Sequence, residues 1–459
     1  MDPETRRMTD ITALSAEEMA AKLRARELSA REVLAAHKTQ TEAQEGTVNA
    51  FVTLDWEAAE ARAAELDALA ARGEFAGPLH GLPVAIKDCF ETKGLRTTWG
   101  SKSFEVHVPD YDALHVARLR AAGAVITGKS NTPEFTLSGQ TANLVSGTTR
   151  NPLNPQKSVA GSSGGAAAVL AANMAALADG SDLGGSTRTP AAWCGVAGMR
   201  PTSGLIPYGP NPSPFDGLSV PGPMARTVRD LVLMLEVMQG NAACQPLGYW
   251  QELPRLADLE EAPGRRTGRA ALSLAPFGAS VEPSVQAAVA PVERLCLEMG
   301  WQVAEDAPPL EPLLAHGDII RGQCALQLRA ALAPDMALAG ESYRTACAQA
   351  EGRGLAELIA YQTTRAKVWV DVCTFFERYD FALWPTATGM PFSADLRDGE
   401  ITEDWRTVTL TPPMELPSIS IPFGRSADRM PAGLHITGPK GSDARLLQFA
   451  RSIERALQG

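Results

Sequence analysis

The sequence has no apolar run long enough to cross a membrane and no apolar leader at its N-terminus. Its most hydrophobic stretch, residues 166–178, is interrupted by Asn173 and is shorter than the roughly 20 residues that a transmembrane helix needs. The first residues, MDPETRRMTD, lack the hydrophobic core of a signal peptide. These absences predict a soluble, cytoplasmic protein with no membrane partner.

Histidine and cysteine are few and are not clustered. The six histidines show no HExxH spacing, and the seven cysteines include no CxxC pair. An odd number of scattered cysteines is typical of a reducing compartment. A metal site requires ligands at defined short spacings, and the sequence offers none. We therefore expect no metal and no cofactor.

Basic residues are outnumbered by acidic ones. The chain has 42 Lys and Arg against 53 Asp and Glu, which gives a net charge of -11. This balance favours solubility and argues against nucleic acid or an anionic membrane as a partner. We therefore expect no nucleic-acid partner, while the sequence leaves homodimerisation open.

What remains is the composition of a globular enzyme, with 45% hydrophobic and 21% charged residues. We predict a single domain over residues 1–459 that contains four regions. Two capping boxes and an alanine-rich stretch predict helices in the N-terminal region. Strand-like and helical segments alternate after it, which predicts an α/β fold. The regions are an N-terminal helical part (1–75), a catalytic core (76–230), a variable, mostly helical part (231–380) and C-terminal strands with a last helix (381–459).

Three residues lie in segments whose composition suits catalysis better than packing. Lys87 ends an apolar, strand-like run, Ser162 lies in the glycine-rich segment 160–165, and Ser186 follows a pair of glycines. A serine hydroxyl is a weak nucleophile that needs a nearby base. A lysine serves as that base only when it is neutral, which burial at the end of an apolar strand favours. The three residues predict a serine nucleophile that is activated without histidine.

The motifs around these residues resemble those of the amidase signature family, whose Ser-cisSer-Lys triad hydrolyses amides and related acyl compounds. The resemblance implies an amidase signature fold, with a large, mixed and twisted β-sheet core covered by helices on both faces. It also implies that Ser186 is the nucleophile, that Ser162 passes its proton to Lys87, and that the Gly161–Ser162 peptide bond is cis. Most of the chain shares the resemblance, including residues 128–135, 151–152, 194–202 and 416–439.

The residues next to the nucleophile are expected to support the reaction. Glycines allow backbone N–H groups to point into one cavity, and such donors stabilise a developing oxyanion. The predicted oxyanion hole consists of Leu183, Gly184, Gly185 and Ser186. The family pattern also has charged residues that brace this loop, and we expect supporting roles for Ser163, Asp182 and Arg188.

The substrate pocket is the least defined part of the site. Aromatic residues near the motifs are candidates for its wall, although the same residues are equally suited to the core. Residues 411–416 depart from the family pattern for a loop on the substrate side, which leaves the substrate open. Residues 311–378 match no motif, and we expect them to shape the pocket. The candidate pocket residues are Trp99, Phe135, Gln140 and Trp193.

A second motif is formally complete. Residues 123–130 satisfy the GxxxxGK[ST] pattern of phosphate-binding loops. The four middle residues are strand formers, and a helical pattern precedes them, whereas a phosphate cradle needs a strand, an open glycine loop and then a helix. We interpret the match as accidental, and keep a nucleotide-binding enzyme as a remote alternative.

These observations predict an amidase-type serine hydrolase that forms an acyl-enzyme on Ser186. Its expected partners are water and a small-molecule amide or carbamate, with amide as the first choice and a carbamate, as in a urethanase, or an ester left open. A glutaminase-type subunit of a tRNA-dependent amidotransferase shares the same signature. That alternative requires partner subunits and glutaminase activity.

Overall fold

The computed structural model describes residues 3–211, 213–243, 245–248, 267–397, 400–401, 406–426 and 428–458. Within these ranges, no helix is both long enough and apolar enough to span a membrane. The cytoplasmic location and the division into four regions stay predictions.

An 11-stranded mixed sheet forms the centre of the molecule. Its strands are β1 (Phe51–Leu54), β2 (Pro83–Lys87), β3 (Val125–Ser130), β8 (Leu177–Asp182), β9 (Ala197–Arg200), β10 (Val220–Ala225), β11 (Arg269–Leu272), β12 (Gln302–Glu305), β13 (Phe381–Pro385), β14 (Ser418–Arg425) and β15 (Pro431–Thr437). They lie in the order β1-β3-β2-β8-β10-β9-β14-β15-β13-β11-β12. β2 is parallel to both β3 and β8, and β11 is parallel to both β12 and β13, while the other neighbours are antiparallel.

Four short strands form two separate hairpins beside this sheet. They are β4 (Ala142–Asn143) with β5 (Gly147–Thr148), and β6 (Arg150–Asn151) with β7 (Asn154–Ser158).

Helices precede, connect and follow the strands. The two predicted capping boxes are present, because Ser15 and Ser29 each exchange hydrogen bonds with the glutamate three residues later. The helices are α1 (Pro3–Ala13), α2 (Ala16–Arg24), α3 (Ala30–Val48), α4 (Trp56–Ala71), α5 (Leu114–Ala121), α6 (Gly164–Ala171), α7 (Arg188–Cys194), α8 (Val228–Met238), α9 (Pro283–Val289), α10 (Val292–Glu298), α11 (Gly317–Leu332), α12 (Glu341–Glu351), α13 (Leu355–Arg378), α14 (Arg406–Thr409) and α15 (Asp443–Gln458).

The side chains of β2 pack alternately into two hydrophobic clusters, which shows that the sheet is covered on both faces. Val84 and Ile86 pack into one hydrophobic cluster with residues of α2 to α5, whereas Ala85 packs into another with residues of α6 and α7. Successive side chains of a strand point to opposite faces. The side chain of Lys87 therefore shares the face of Ala85, toward the N-terminus of α6. The α/β fold with a large mixed sheet is confirmed.

The residues that match the phosphate-binding-loop pattern lie mostly in this sheet. Its last six residues form β3, which pairs with both β1 and β2. Lys129 is buried, and its ammonium donates hydrogen bonds to the Phe90 carbonyl and, at 2.8 Å, to Thr92 Oγ1. A phosphate cradle needs an open loop with free backbone donors. Residues 123–130 therefore form no such cradle.

Candidate active site

Lys87 lies at the carboxyl end of β2, beside the parallel strand β8. Its side chain is fully buried. The Nζ atom donates hydrogen bonds to three hydroxyl oxygens, at 2.7 Å to Ser162, 2.9 Å to Ser163 and 2.9 Å to Ser181. We call these four side chains the lysine–hydroxyl cluster. The sequence predicted the proximity of Lys87 to Ser162, and the structure places them in direct contact.

The environment of Lys87 favours its neutral form. Burial lowers the pKa of Lys87 to about 8, against opposing effects from Cys89, Asp179 and Asp182. Desolvation penalises the charged form of a buried amine. An amine with such a pKa is partly neutral near pH 8, and a neutral amine can accept a proton.

The segment that carries Ser162 is held against its surroundings by close backbone contacts. The Gly161–Ser162 peptide bond is cis, as the family resemblance implied. A side chain at Gly161 would collide with the Ser138 carbonyl oxygen, since an added Cβ would lie 2.6 Å from it. Ser163 N donates to the Ser186 carbonyl at 3.0 Å. This bond fixes the two serine segments relative to each other.

Ser186 is half-buried and faces the same cavity as Ser162. It lies in the turn between β8 and α7. Gly185, with φ of 103°, adopts a backbone conformation that favours glycine, and an added Cβ would lie 2.4 Å from Val408. The structure thus brings all three candidate catalytic residues to one site.

The turn that carries Ser186 is braced by a buried ion pair. Asp182 accepts hydrogen bonds from Arg188 at 2.7 and 2.9 Å, and from the N–H groups of Gly185 and Thr187. Burial alone would raise the pKa of Asp182, but the charge and hydrogen bonds of Arg188, together with Arg200, hold that pKa well below its usual range. Both side chains of the ion pair are fully buried. This geometry fits the expected bracing role.

The oxyanion hole differs from the prediction at one residue. The N–H of Gly185 donates to Asp182 Oδ1 at 3.0 Å, so it is not directed into the cavity. The cavity wall includes Leu183, Gly184 and Ser186. An N–H that donates to a carboxylate is not available to an oxyanion, so we remove Gly185 from the candidate donors. Leu183, Gly184 and Ser186 remain candidates.

Asp182→Asn is expected to lower the free energy of unfolding by about 3 kcal/mol or more, because it leaves the Arg188 charge buried without a counterion. Denaturant titration measures the loss. The control is Asp395→Asn, which removes a carboxylate that is 63% exposed and paired with Arg150. Surface pairs contribute at most about 1 kcal/mol. Equal losses in the two variants would contradict the bracing role of Asp182.

The predicted pocket residues were mostly wrong. Trp99 does line the cavity. Phe135 is buried against Tyr343, with ring centroids 4.3 Å apart. Trp193 is buried against Phe392 at 5.0 Å. The Gln140 amide donates to the Ala394 carbonyl at 2.8 Å inside the fold. These three side chains satisfy packing and hydrogen bonding in the core and do not line the cavity.

The wall opposite the lysine–hydroxyl cluster comes from a region without sequence motifs. The cavity has a volume of about 300 Å³, which is within the lower range for small-ligand sites. The start of the region 311–378, which we expected to shape the pocket, lines this cavity. Its contribution consists of Leu313, Leu314, Gly317, Ile320, Arg321, Cys324, Gln327 and Leu328.

Sequence reasoning missed several residues of the site. Ser181 is the third hydroxyl on Lys87 and also lines the cavity. Asp179 accepts a hydrogen bond from the Lys87 backbone N–H at 2.6 Å. The available signal was the alternation of β8, which places Asp179 and Ser181 on one face of the strand. Among the described residues, no three His, Cys, Asp or Glu side chains form a metal-binding group, and the absence of a cofactor stays a prediction.

Comparisons with known proteins agree with this geometry. A family model described as Amidase matches residues 32–447. A glutamyl-tRNA(Gln) amidotransferase chain of Koribacter versatilis (strain Ellin345) is 32% identical over 478 aligned residues, which cover 98% of this chain and 99% of the relative. The structure of a bacterial aryl acylamidase from the amidase signature enzymes superposes with a TM-score of 0.89 at 26% identity, covering 96% of each chain.

A solved structure of the same type of amidotransferase chain is also similar. The glutamyl-tRNA(Gln) amidotransferase chain of Thermotoga maritima gives a TM-score of 0.77 at 25% identity, covering 97% of this chain and 95% of that chain. Both amidotransferase relatives are named as one subunit of that enzyme.

These relatives correct the predicted partners. The expected set of partners, which was a small molecule and water with no nucleic acid, is wrong, because the curated relatives are subunits of an amidotransferase named for glutamyl-tRNA(Gln). The expectation relied on the net charge of the whole chain. A summed charge does not exclude nucleic acid that is bound by a local patch or through another protein of a complex.

Proposed function

The chain belongs to the amidase signature family, and from that premise we propose that it cleaves a carbon–nitrogen bond through an acyl-enzyme on Ser186. The enzyme class, which acts on carbon–nitrogen bonds other than peptide bonds, follows from the family. One observation carries the finer proposal. The Nζ atom of a fully buried lysine lies within hydrogen-bond distance of three serine hydroxyls, at the edge of the cavity that Ser186 faces.

In the proposed reaction, neutral Lys87 accepts the proton of Ser162 while Ser162 accepts the proton of Ser186. The Ser186 oxygen attacks the substrate carbonyl, and the backbone N–H groups of Leu183, Gly184 and Ser186 stabilise the oxyanion. The tetrahedral intermediate collapses when the carbon–nitrogen bond breaks and the leaving nitrogen takes the proton back from Lys87 through Ser162. Water then attacks the Ser186 ester along the same proton path, which releases the acid and restores the enzyme.

We propose that the acyl donor is the carboxamide of glutamine and that the chain acts as the ammonia-releasing subunit of a tRNA-dependent amidotransferase. The full-length similarity to the amidotransferase relatives supports this proposal. The cavity wall also carries one carboxylate, Asp216, and one guanidinium, Arg321. A free amino acid has an ammonium and a carboxylate that match this pair of charges.

A second candidate has support from a different observation. The cavity wall is rich in aliphatic side chains, among them Leu313, Ile320 and Leu328, which suit an apolar acyl or amine group. The TM-score to the aryl acylamidase exceeds that to the amidotransferase chain of Thermotoga maritima. This candidate is a hydrolase of aryl or alkyl amides, or of carbamates as in a urethanase.

A hydrolysis panel with the purified chain separates the two candidates. Ammonia release from glutamine, together with co-purifying subunits, is expected for the first. Turnover of aryl amides, aliphatic amides, carbamates or esters by the isolated chain, with glutamine inert, would support the second instead. Ser186→Ala serves as the blank in every assay. If no substrate is turned over faster by the wild type than by this variant, the proposed function fails.

A further inference from the structure

A chain of hydrogen bonds links the backbone of Lys87 to two residues that do not line the cavity. The Lys87 backbone N–H donates to Asp179 Oδ1 at 2.6 Å, and Asp179 Oδ2 lies 3.0 Å from His115 Nε2. All three residues are fully buried. They come from separate elements, since Lys87 ends β2, Asp179 lies on β8 and His115 lies on α5. Neither Asp179 nor His115 takes part in the proposed proton path.

His115 is placed to hold the carboxylate of Asp179. Its ring packs edge-on against Phe90, with centroids 4.3 Å apart. Its second nitrogen, Nδ1, has no hydrogen-bond partner within the described part of the chain. A buried N–H without an acceptor is costly, so we place an N–H on Nε2, where it donates to Asp179.

Asp179 is the acidic neighbour of Lys87 that is a carboxylic acid without an arginine partner. The other two are the Cys89 thiol and Asp182. Burial raises the pKa of Cys89 to about 11, so the thiol is neutral near pH 8. Asp182 is paired with Arg188. Asp179 is hydrogen-bonded to His115 on one side, and Lys129, which lies near Asp179, also lies near Asp88.

We propose that Asp179, held in place by His115, is a positioning residue that fixes the end of β2 and sets the pH range in which Lys87 acts as a base. A carboxylate close to an amine favours its protonated form and thus opposes the effect of burial. Without this charge Lys87 would lose its proton at lower pH. The inference rests on the proposed role of Lys87 as the base.

The test is the pH dependence of kcat/KM for Asp179→Asn, which keeps a carbonyl oxygen for the Lys87 N–H and removes the charge. The midpoint of the rise in kcat/KM is expected to move down by roughly one pH unit. Asp443→Asn is the matched control, because Asp443 is fully buried and bonded to Thr202 through both a backbone N–H and a hydroxyl. Its midpoint is expected to stay in place.

An unchanged midpoint in folded Asp179→Asn, with only a lower rate, would overturn the inference and leave a purely structural role. If that variant does not fold, His115→Leu replaces it. This change removes the hydrogen bond that draws the carboxylate away from Lys87, so the midpoint is expected to rise, and a constant midpoint would again overturn the inference. A wild-type profile with no rise in kcat/KM between pH 6 and 9 would instead refute the proposed role of Lys87.

Discussion

Ser186→Ala is expected to reduce kcat by about 10⁴-fold or more, because removal of a serine nucleophile eliminates the acyl-enzyme route and leaves only binding and oxyanion stabilisation. The fold should be retained, since Ser186 is half-buried and its backbone contacts do not depend on the hydroxyl. Steady-state rates on the best substrate of the panel give the loss. Intact-mass measurement should detect an acyl adduct on the wild type and none on the variant.

Ser219→Ala is the matched control for this loss. Ser219 also lines the cavity but lies outside the lysine–hydroxyl cluster. Its replacement is expected to change kcat by less than about tenfold, which corresponds to one ordinary hydrogen bond to substrate. A Ser186→Ala enzyme with more than a tenth of the wild-type rate, or equal losses in both variants, would rule out Ser186 as the nucleophile.

Lys87→Met is expected to reduce kcat/KM by about 10²- to 10⁴-fold, the usual contribution of a general base. The wild-type kcat/KM should rise about tenfold per pH unit below pH 8 and level off above it, because burial lowers the pKa of Lys87 to about 8 and only the neutral amine accepts a proton. The residual activity of Lys87→Met should lose this inflection. Rates measured from pH 6 to pH 10 provide the comparison.

The chain offers a second buried lysine as a control for this experiment. Lys129 is fully buried on the adjacent strand β3, where burial lowers its pKa, and it donates to a carbonyl and to Thr92 away from the serines. Lys129→Met is expected to lower stability and to keep the inflection near pH 8. Retention of the inflection in Lys87→Met, or its loss in Lys129→Met, would assign the base to a different group.

The proximity of the three candidate catalytic residues could be predicted because their motifs carry specific backbone requirements. Glycines beside Ser162 and Ser186 and an apolar run before Lys87 are local features, and they fix where each residue lies on a strand end or helix start. The strand that ends at Lys87, the helix before residue 123 and the C-terminal strands with their last helix were likewise evident from the sequence.

The pocket, and the residues that contact the backbone of Lys87, could not be predicted, because both depend on contacts between distant elements. His115 and Asp179 are single polar residues on an ordinary helix and strand, and only the packed sheet brings them together. Phe135 and Trp193, which were expected in the pocket, lie in the core, where large rings bury the most apolar area. The part of the wall from residues 313–328 is mostly aliphatic and helical, a composition that sequence alone does not distinguish from packing.

The separate origin of the two sides of the cavity has an evolutionary consequence. Two members of the lysine–hydroxyl cluster, Lys87 and Ser181, lie on strands of the central sheet, whereas a large part of the cavity wall belongs to helix α11 and the short turn before it. Mutations in that helix are therefore expected to alter substrate preference while the proposed acyl transfer is preserved. The same catalytic residues can in this way act on new compounds after a few aliphatic side chains have been exchanged.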